Sequence, residues 1–141
     1  MKISTRGRYS LRLMMDLAEY GSEGFITLKD IAARQNISKK YLEQIIPFLT
    51  RSKLLLSNKG HGGGYKISRK PEDITVLEIL ESAEGSLVPV NCMEDNPIQC
   101  SRCNECRTLP IYQGLYSLIV RYLGGISLLD AVEGRISSDF M

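Results

Sequence analysis

Apolar residues recur every three or four positions along most of the chain, which is the spacing of amphipathic helices. Leu54-Leu55-Leu56 and Tyr65-Lys66-Ile67 are instead short strand-like segments on either side of a polar, glycine-rich segment, and this arrangement predicts a β-hairpin. The predicted helices cover 5–22, a short helix from Thr27, a third from Ser38 to about Ser52, 75–84, 110–123 and a last one from Ser127. The expected fold is mainly α with one small hairpin.

Three of these helices carry apolar stripes that we expect to face a common core. The stripes are Leu11, Met14, Met15 and Ala18 in the first helix, Leu28, Ile31 and Ala32 in the second, and Leu42, Ile45, Ile46 and Leu49 in the third. Pro47 lies inside the third helix, where the missing N–H predicts a kink.

A short turn, Asn36-Ile37-Ser38, joins the second and third helices, and these are the proportions of a DNA-reading helix-turn-helix. Asn36 tolerates the left-handed conformation, and Ser38 is a good N-cap. The apolar stripe leaves six residues to face outward: Ser38, Lys39, Lys40, Tyr41, Glu43 and Gln44. The lysines and Tyr41 suit phosphates, whereas Glu43 can accept from cytosine and Gln44 can pair with adenine. The alternative is a solvated helix face at a protein interface.

The tip of the hairpin, residues 57–64, places a cation and an imidazole among glycines: Lys59, Gly60, His61, Gly62, Gly63. Glycine lets backbone N–H groups approach phosphates closely, so a strand pair tipped in this way can lie along a minor groove. A nucleotide-binding phosphate loop is excluded because no Gly-Lys-Ser/Thr follows and a strand, not a helix, comes next.

The net charge of +2 conceals an asymmetry between the two halves of the chain. Residues 1–70 hold 14 Lys and Arg against 5 Asp and Glu, whereas residues 71–141 hold 4 against 11. A basic half beside an acidic half indicates that one half meets a polyanion; a chance distribution is the alternative. There is no secretory signal and no apolar run of about 18 residues, so we expect a cytoplasmic protein without a membrane span.

Four cysteines lie within residues 86–108, a long segment without clear periodicity, in the spacing Cys92-x7-Cys100-x2-Cys103-x2-Cys106. Cytosolic thiols are kept reduced, so metal ligands are favoured over disulfides. Four soft ligands can close one tetrahedral or cubane site, and iron–sulfur, zinc and metal-free thiols all remain open from the spacing. A thiol–disulfide enzyme built on Cys100 and Cys103 lacks the βαβ setting it needs, so no enzymatic activity is predicted.

The segments KISTRGR at 2–8, ISKKYLEQ at 37–44, GHGGGY at 60–65, ITVLEILESAEG at 74–85 and ISLLDAV at 126–132 resemble the IscR, NsrR and CymR family of winged-helix regulators, the Rrf2 family. The resemblance implies a homodimer in which the long helix at 110–123 crosses its partner. It implies base contacts from Ser38, Lys40, Glu43 and Gln44, groove and backbone contacts from Lys59 to Gly63, and phosphate contacts from Tyr9 and Tyr41. His61 departs from the proline of many members.

The same resemblance implies an iron–sulfur cluster, either 2Fe-2S or 4Fe-4S, because Cys92, Cys100 and Cys106 match the three cysteines of cluster-binding members. The fourth ligands known in the family are replaced here by Leu109 and Arg8, neither of which can ligate iron. Cys103 is the local substitute, and weaker ones are Glu94, Asp95 and Glu105.

The sequence therefore predicts a winged helix-turn-helix DNA-binding domain at 1–85, a cysteine-rich metal-binding loop at 86–108, and a dimerisation helix with a short last helix at 109–141. The predicted function is that of a transcription regulator, expected to be a repressor, whose binding to a double-stranded operator is modulated by an iron–sulfur cluster. The alternative is a winged-helix regulator with a structural zinc or redox-active thiols that senses another signal.

Overall fold

The structure, a computed structural model, describes residues 1–22 and 24–137. The elements in chain order are α1 (Thr5–Tyr20), α2 (Leu28–Gln35), α3 (Lys39–Arg51), β1 (Leu55–Asn58), β2 (Gly64–Ile67), α4 (Val76–Glu84), α5 (Leu109–Gly124) and α6 (Leu128–Glu133). Short 3-10 turns lie at Pro71–Asp73 and Asn91–Met93. The predicted class, mainly α with one hairpin, is confirmed. Residues 138–141 of the predicted C-terminal unit lie outside the described residues.

The helix starts follow the capping chemistry of the sequence. The Ser38 hydroxyl accepts a hydrogen bond from the Tyr41 amide over 3.1 Å, and Asn36 before it takes the left-handed conformation at φ 52°. Thr75 and Ser127 each form a reciprocal capping box with the acid three residues later. The third helix continues through Pro47 to Arg51. Local side chains thus set the starts of α3, α4 and α6.

The main core lies between α1, α2, α3 and the start of the hairpin. The predicted stripe of α3 is confirmed, since its four members are all buried. The stripe predicted for α1 was displaced: Leu13, Met14 and Leu17 are buried, whereas Leu11 and Met15 are only partly buried. The reason is that α1 packs against α4 and α6 as well as against α2 and α3, so more of its circumference is covered than one stripe.

A second, smaller apolar cluster joins α4 to α5. Val76, Leu80 and Leu87 are buried there, and one side of α5 packs against them through Tyr116, Ile119 and Leu123. The other side of α5 is exposed, with Ile111 at 66% and Leu118 at 49% of their full accessible surface. Of the 16 residues of α5, only Leu109 is buried. The helix is therefore apolar on two sides but covered on one.

The segment before α6 returns to the main core. The Leu128 amide donates to the Ile74 carbonyl over 2.7 Å, and the Val76 amide donates to the Ile126 carbonyl over 2.9 Å. Leu128 is fully buried as part of the main core, and α6 packs against α1. The division of the chain after residues 85 and 108 stays a prediction. Across residues 1–22 and 24–137, every helix is too short or too polar to cross a membrane.

Candidate functional site

The start of α3 presents a polar surface beside the turn that leads into it. Ser38, Lys39, Lys40, Glu43 and Gln44 are exposed, as predicted from the position of the apolar stripe. Backbone N–H groups at a helix N-terminus attract anions, so two lysines in the first turn make this end of α3 a favourable place for a phosphate. The later pair, Glu43 and Gln44, lies one turn further along α3 and is also exposed to solvent.

Tyr41, the sixth predicted residue, is only partly exposed because its ring packs on the core. It also meets the ring of Tyr9 from α1 edge to face, with 5.5 Å between the ring centroids. The two tyrosines that were predicted as phosphate contacts therefore lie side by side. Their pairing links the first turn of α3 to α1.

The wing is the β1–β2 hairpin, paired antiparallel with Leu55 opposite Ile67 and Asn58 opposite Gly64. Two further hydrogen bonds of 2.8 Å join the backbones of Tyr65 and Ile26, which immediately precedes Thr27, the cap of α2. These bonds fix the wing against the helix-turn-helix. The hairpin thus has a defined position next to α3.

Glycine is required at the base of the wing tip. At Gly63 a β-carbon would lie 2.5 Å from the Asn58 carbonyl oxygen, and at Gly64 φ is 153° with the Ile26 backbone directly beside it. At the tip itself Lys59, Gly60, His61 and Gly62 are exposed. The glycines keep the loop thin, and its cation and imidazole project into solvent.

The cysteines lie in the segment between α4 and α5. Cys92 and Cys100 are exposed, and Cys103 and Cys106 are partly exposed. Within residues 1–22 and 24–137 no three His, Cys, Asp or Glu side chains are gathered closely enough to hold a metal ion. The structure therefore does not bring the predicted ligands together, and the ligand set stays a prediction. As donors they fit a soft metal or an iron–sulfur cluster, because all four are accessible thiols.

Hydrogen bonds at the start of α5 favour the thiolate form of Cys106. The hydroxyl of Thr108 lies 3.3 Å from its sulfur, and together with the backbone N–H groups of Leu109 and Thr108 it lowers the pKa of this thiol. These groups belong to the N-terminal end of α5. The end of α5 therefore favours the thiolate form of Cys106, which is the form of a cysteine that binds metals.

Comparison with known proteins identifies the family of this chain. A family profile described as "Rrf2: Iron-dependent Transcriptional regulator" matches residues 3–134. The chain belongs to the Rrf2 family. The protein rrf2 of Nitratidesulfovibrio vulgaris is 40% identical over 133 residues, which cover 94% of this chain and 88% of that relative.

Two solved structures of Rrf2-family regulators show the same fold. IscR from T. potens is 33% identical with a TM-score of 0.74, covering 100% of this chain and 96% of that one. CymR of B. subtilis, described as the global cysteine regulator, is also 33% identical with a TM-score of 0.72, covering 94% and 97% of the two chains. Like them, this chain is a winged-helix, DNA-binding transcriptional regulator and belongs to a non-enzymatic family.

Sequence reasoning missed a set of contacts behind the helix-turn-helix of this Rrf2-family protein. Asp16 of α1 is 1% exposed and accepts hydrogen bonds from Arg34 and Gln35 at the end of α2. Arg12 of α1 donates to the side-chain and backbone oxygens of Gln35. One signal was present in the sequence, because Asp16 lies between Met15 and Leu17 in the most apolar part of α1.

Proposed function

We propose that this chain is a sequence-specific transcription regulator, a repressor, that acts in the cytoplasm as a homodimer on a double-stranded DNA operator. The observation that carries the proposal is that the exposed polar start of α3 lies beside the wing. The wing is held there by the backbone hydrogen bonds between Tyr65 and Ile26, the residue before Thr27. A helix of this kind enters the major groove by its N-terminal residues, and a thin basic hairpin fits the adjacent backbone or minor groove.

In this proposal base edges are read by Glu43 and Gln44, with Ser38 and Lys40 beside them. The phosphates are held by Lys39, Tyr41 and Tyr9, and the wing contributes Lys59, Gly60, His61, Gly62 and Gly63. The charge distribution supports this orientation, because 14 of the 18 Lys and Arg lie in residues 1–70. Basic residues concentrated in the half that carries α3 and the wing would draw that half to DNA.

Selection from a library of random DNA duplexes tests this function. The full-length protein is expected to enrich one sequence with two half-sites about 10 base pairs apart, centre to centre, or a multiple of that spacing. Footprinting on this sequence should then show one protected region over each half-site. If no sequence were enriched over several rounds at moderate salt, sequence-specific regulation by this chain would be rejected.

The homodimer in this proposal is supported by the uncovered side of α5. Ile111, Leu115, Leu118 and Tyr122 are spaced by four, three and four residues, which is the repeat of a helix–helix seam. Ile111, Leu118 and Tyr122 are 66%, 49% and 36% exposed in the single chain. The opposite side of the helix is already packed on α4. A second copy of α5 would cover this seam.

Sedimentation of two matched variants tests the dimer. Leu118→Glu puts a charge into the proposed seam, whereas Gln113→Glu adds the same charge outside the seam, at an exposed position of α5. We expect the first variant to sediment as a monomer and the second as a dimer like the parent. A dimer that persisted in Leu118→Glu would place the interface elsewhere.

We further propose that an iron–sulfur cluster held by Cys92, Cys100 and Cys106, with Cys103 as fourth ligand, modulates DNA binding. A cluster of this kind supplies a redox-sensitive group when bound. Ligation by these cysteines would order residues 90–108 and fix the start of α5, and through the dimer it would set the spacing of the two α3 helices. The expected coupling is about 1–3 kcal/mol. The family profile's description as iron-dependent supports this proposal.

The alternative is a structural zinc or redox-active thiols that sense another signal. It is favoured by the likeness to CymR, a regulator of cysteine, and by the dispersed thiols of the described residues. The two are separated by metal and sulfide analysis, with a visible spectrum, of protein purified without oxygen. Iron with sulfide and visible absorption supports the cluster; colourless protein that contains zinc, or no metal, supports the alternative.

The modulation is tested by measuring operator affinity before and after removal of the metal, and in Cys103→Ser beside the control Ser101→Ala in the same segment. Metal removal and Cys103→Ser are expected to change the affinity by about 5-fold to 150-fold. The control should bind like the parent. An unchanged affinity after complete metal removal would disprove the switch while leaving DNA binding intact.

A further inference from the structure

A buried carboxylate lies behind the helix-turn-helix and joins α1 to the end of α2. The two oxygens of Asp16 accept three hydrogen bonds: 3.0 Å from Nε of Arg34, 2.7 Å from Nη2 of Arg34, and 2.9 Å from Nε2 of Gln35. The Asp16 side chain has no exposed surface. This paired contact from a planar guanidinium fixes direction as well as distance.

Arg34 and Gln35 are each held from a second side as well. The guanidinium of Arg34 lies over the ring of Tyr20, 4.3 Å from its centroid. Gln35 receives Nε of Arg12 on its side-chain oxygen over 3.3 Å, and Nη2 of Arg12 donates to its backbone oxygen. The last two residues of α2 are therefore fixed on α1 by Asp16, Arg12 and Tyr20.

The end of α2 determines where α3 begins, because the turn between them is short and ordered. Gln35 is followed directly by Asn36 at φ 52°, and the Ile37 amide donates to the Ala32 carbonyl over 3.2 Å. Ser38 then caps α3. A rotation of the end of α2 would pass through this turn to the first residues of α3, which are those proposed to meet the DNA.

The contacts also return to α3 by a second route. The guanidinium of Arg12 lies 5.2 Å from the centroid of the Tyr9 ring, and that ring meets Tyr41 in the first turn of α3. A continuous series of side-chain contacts therefore runs from Asp16 through Gln35 and Arg12 to Tyr9 and Tyr41. The start of α3 is therefore connected to Asp16 both through the backbone of the turn and through side-chain contacts.

We propose that Asp16 is a positioning residue for DNA recognition, holding the start of α3 at the angle to α1 that lets Glu43 and Gln44 reach base edges. The Arg34 side chain of this pair is 32% exposed, and ion pairs contribute little to stability compared with well-packed apolar residues of similar volume. Its directional bonds, however, specify one orientation of α2 where apolar contacts would allow several. The inference rests on the DNA-binding function proposed above.

The test compares Asp16→Asn with Glu19→Gln, a matched loss of one carboxylate charge at an exposed position of α1. Each variant's affinity is measured for the operator selected by the parent protein and for a scrambled duplex, at a temperature where circular dichroism shows the folded state. Asp16→Asn is expected to lower the ratio of specific to non-specific affinity by about tenfold, because misplaced side chains lose base contacts. Its non-specific affinity should stay within about twofold, because the phosphate contacts tolerate small shifts. Glu19→Gln should leave both unchanged.

A purely structural role for Asp16 predicts a different result. Loss of folded protein would lower both affinities by one common factor, and the ratio would be preserved. That outcome, or a ratio equal to the parent's without any loss of affinity, would overturn the proposal.

If Asp16→Asn does not fold, Gln35→Leu decides the question. It keeps the Arg34 pair with Asp16 but removes the side-chain links of Gln35 to Asp16 and Arg12, and we expect the specificity ratio to fall by about threefold or more. A ratio equal to the parent's would overturn the proposal in that case. Failure of the parent protein to select any operator would instead reject the proposed function, so the two failures are distinguishable.

Discussion

The amide and the hydroxyl of Ser4 both donate to one carboxylate oxygen of Glu84, over 2.9 and 2.6 Å. The same hydroxyl accepts the Gly7 amide and so caps α1. Glu84 thus ends α4 beside the N-terminus of α1, where the helix dipole favours a negative charge. A β-carbon on Gly7 would overlap the Glu84 carboxylate. The approach of α4 to α1 therefore depends on a glycine, a serine and an acid together.

Gly7→Ala is expected to lower the free energy of unfolding by about 1–2 kcal/mol, because the added methyl group displaces Glu84 from Ser4. In a Glu84→Ala background the same substitution should be neutral or stabilising by up to about 1 kcal/mol, since alanine is the better helix former. Urea unfolding of the four proteins measures both effects. An equal effect of Gly7→Ala in the two backgrounds would contradict this account.

Ser10→Ala is expected to stabilise the protein by about 1 kcal/mol. The Ser10 hydroxyl is fully buried in α1, and no described residue offers it a hydrogen-bond partner. The matched control is Ser82→Ala, because the Ser82 hydroxyl donates to the Phe48 carbonyl over 2.9 Å. That variant should lose about 1 kcal/mol. Thermal unfolding of both would show opposite shifts; a loss of stability in Ser10→Ala would mean that its hydroxyl has a partner.

Much of the helix-turn-helix could be predicted because its signals are local. The left-handed Asn36, the Ser38 cap and the buried stripe from Leu42 to Leu49 each depend on residues a few positions apart. The buried face of α1 could not be predicted in the same way. Its surroundings come from α4 and α6, more than fifty residues away in the chain, and this tertiary packing decides which side chains are covered.

The candidate site, too, could be predicted only where its signals are local in the sequence. The glycine run at 60–64 predicts a hairpin, but the bonds between Tyr65 and Ile26 that fix the wing join residues 39 positions apart and leave no local pattern. The side-chain contacts that begin at Asp16 likewise join different helices and leave no local pattern. For the cysteines the spacing identifies a donor set, whereas the positions of the donors depend on the irregular backbone of 86–108. Composition therefore predicts the chemistry of that segment and not its geometry.

The caps of α4 and α6 predict an acid-sensitive stability. Burial raises the pKa of Glu78, but hydrogen bonds from Arg69 and from the backbone and side chain of Thr75 outweigh it and hold the pKa below 4.5. Hydrogen bonds from the backbone and hydroxyl of Ser127 lower the pKa of Asp130 below 3.8. Both acids bind a proton more weakly in the folded state. Their stabilisation is therefore complete above about pH 4.5 and is lost as the pH falls through the lowered pKa values.

Glu78→Gln is expected to be less stable than the parent near neutral pH, by less than about 1 kcal/mol because the pair with Arg69 is partly exposed. As the pH falls through the lowered pKa of Glu78, the two proteins should converge, because the carboxylate of the parent then becomes protonated. Urea unfolding at a series of pH values measures the difference. A difference that stayed constant with pH would show that the Glu78 charge is not responsible.

Gln44→Ala and Lys39→Ala separate base reading from phosphate binding at the start of α3. If Gln44 reads a base, Gln44→Ala should reduce the preference for one base pair of each half-site by about 1–3 kcal/mol. It should leave the salt dependence of binding unchanged. If Lys39 binds a phosphate, Lys39→Ala should weaken binding to every sequence alike. It should also lower the slope of log affinity against log salt concentration by about 1 for each subunit bound. Titrations of the operator and its single-base variants at several salt concentrations measure both quantities. If Gln44→Ala changed the salt slope and Lys39→Ala changed the base preference, the roles of the two residues would be reversed and α3 would lie in the groove with a different rotation about its axis.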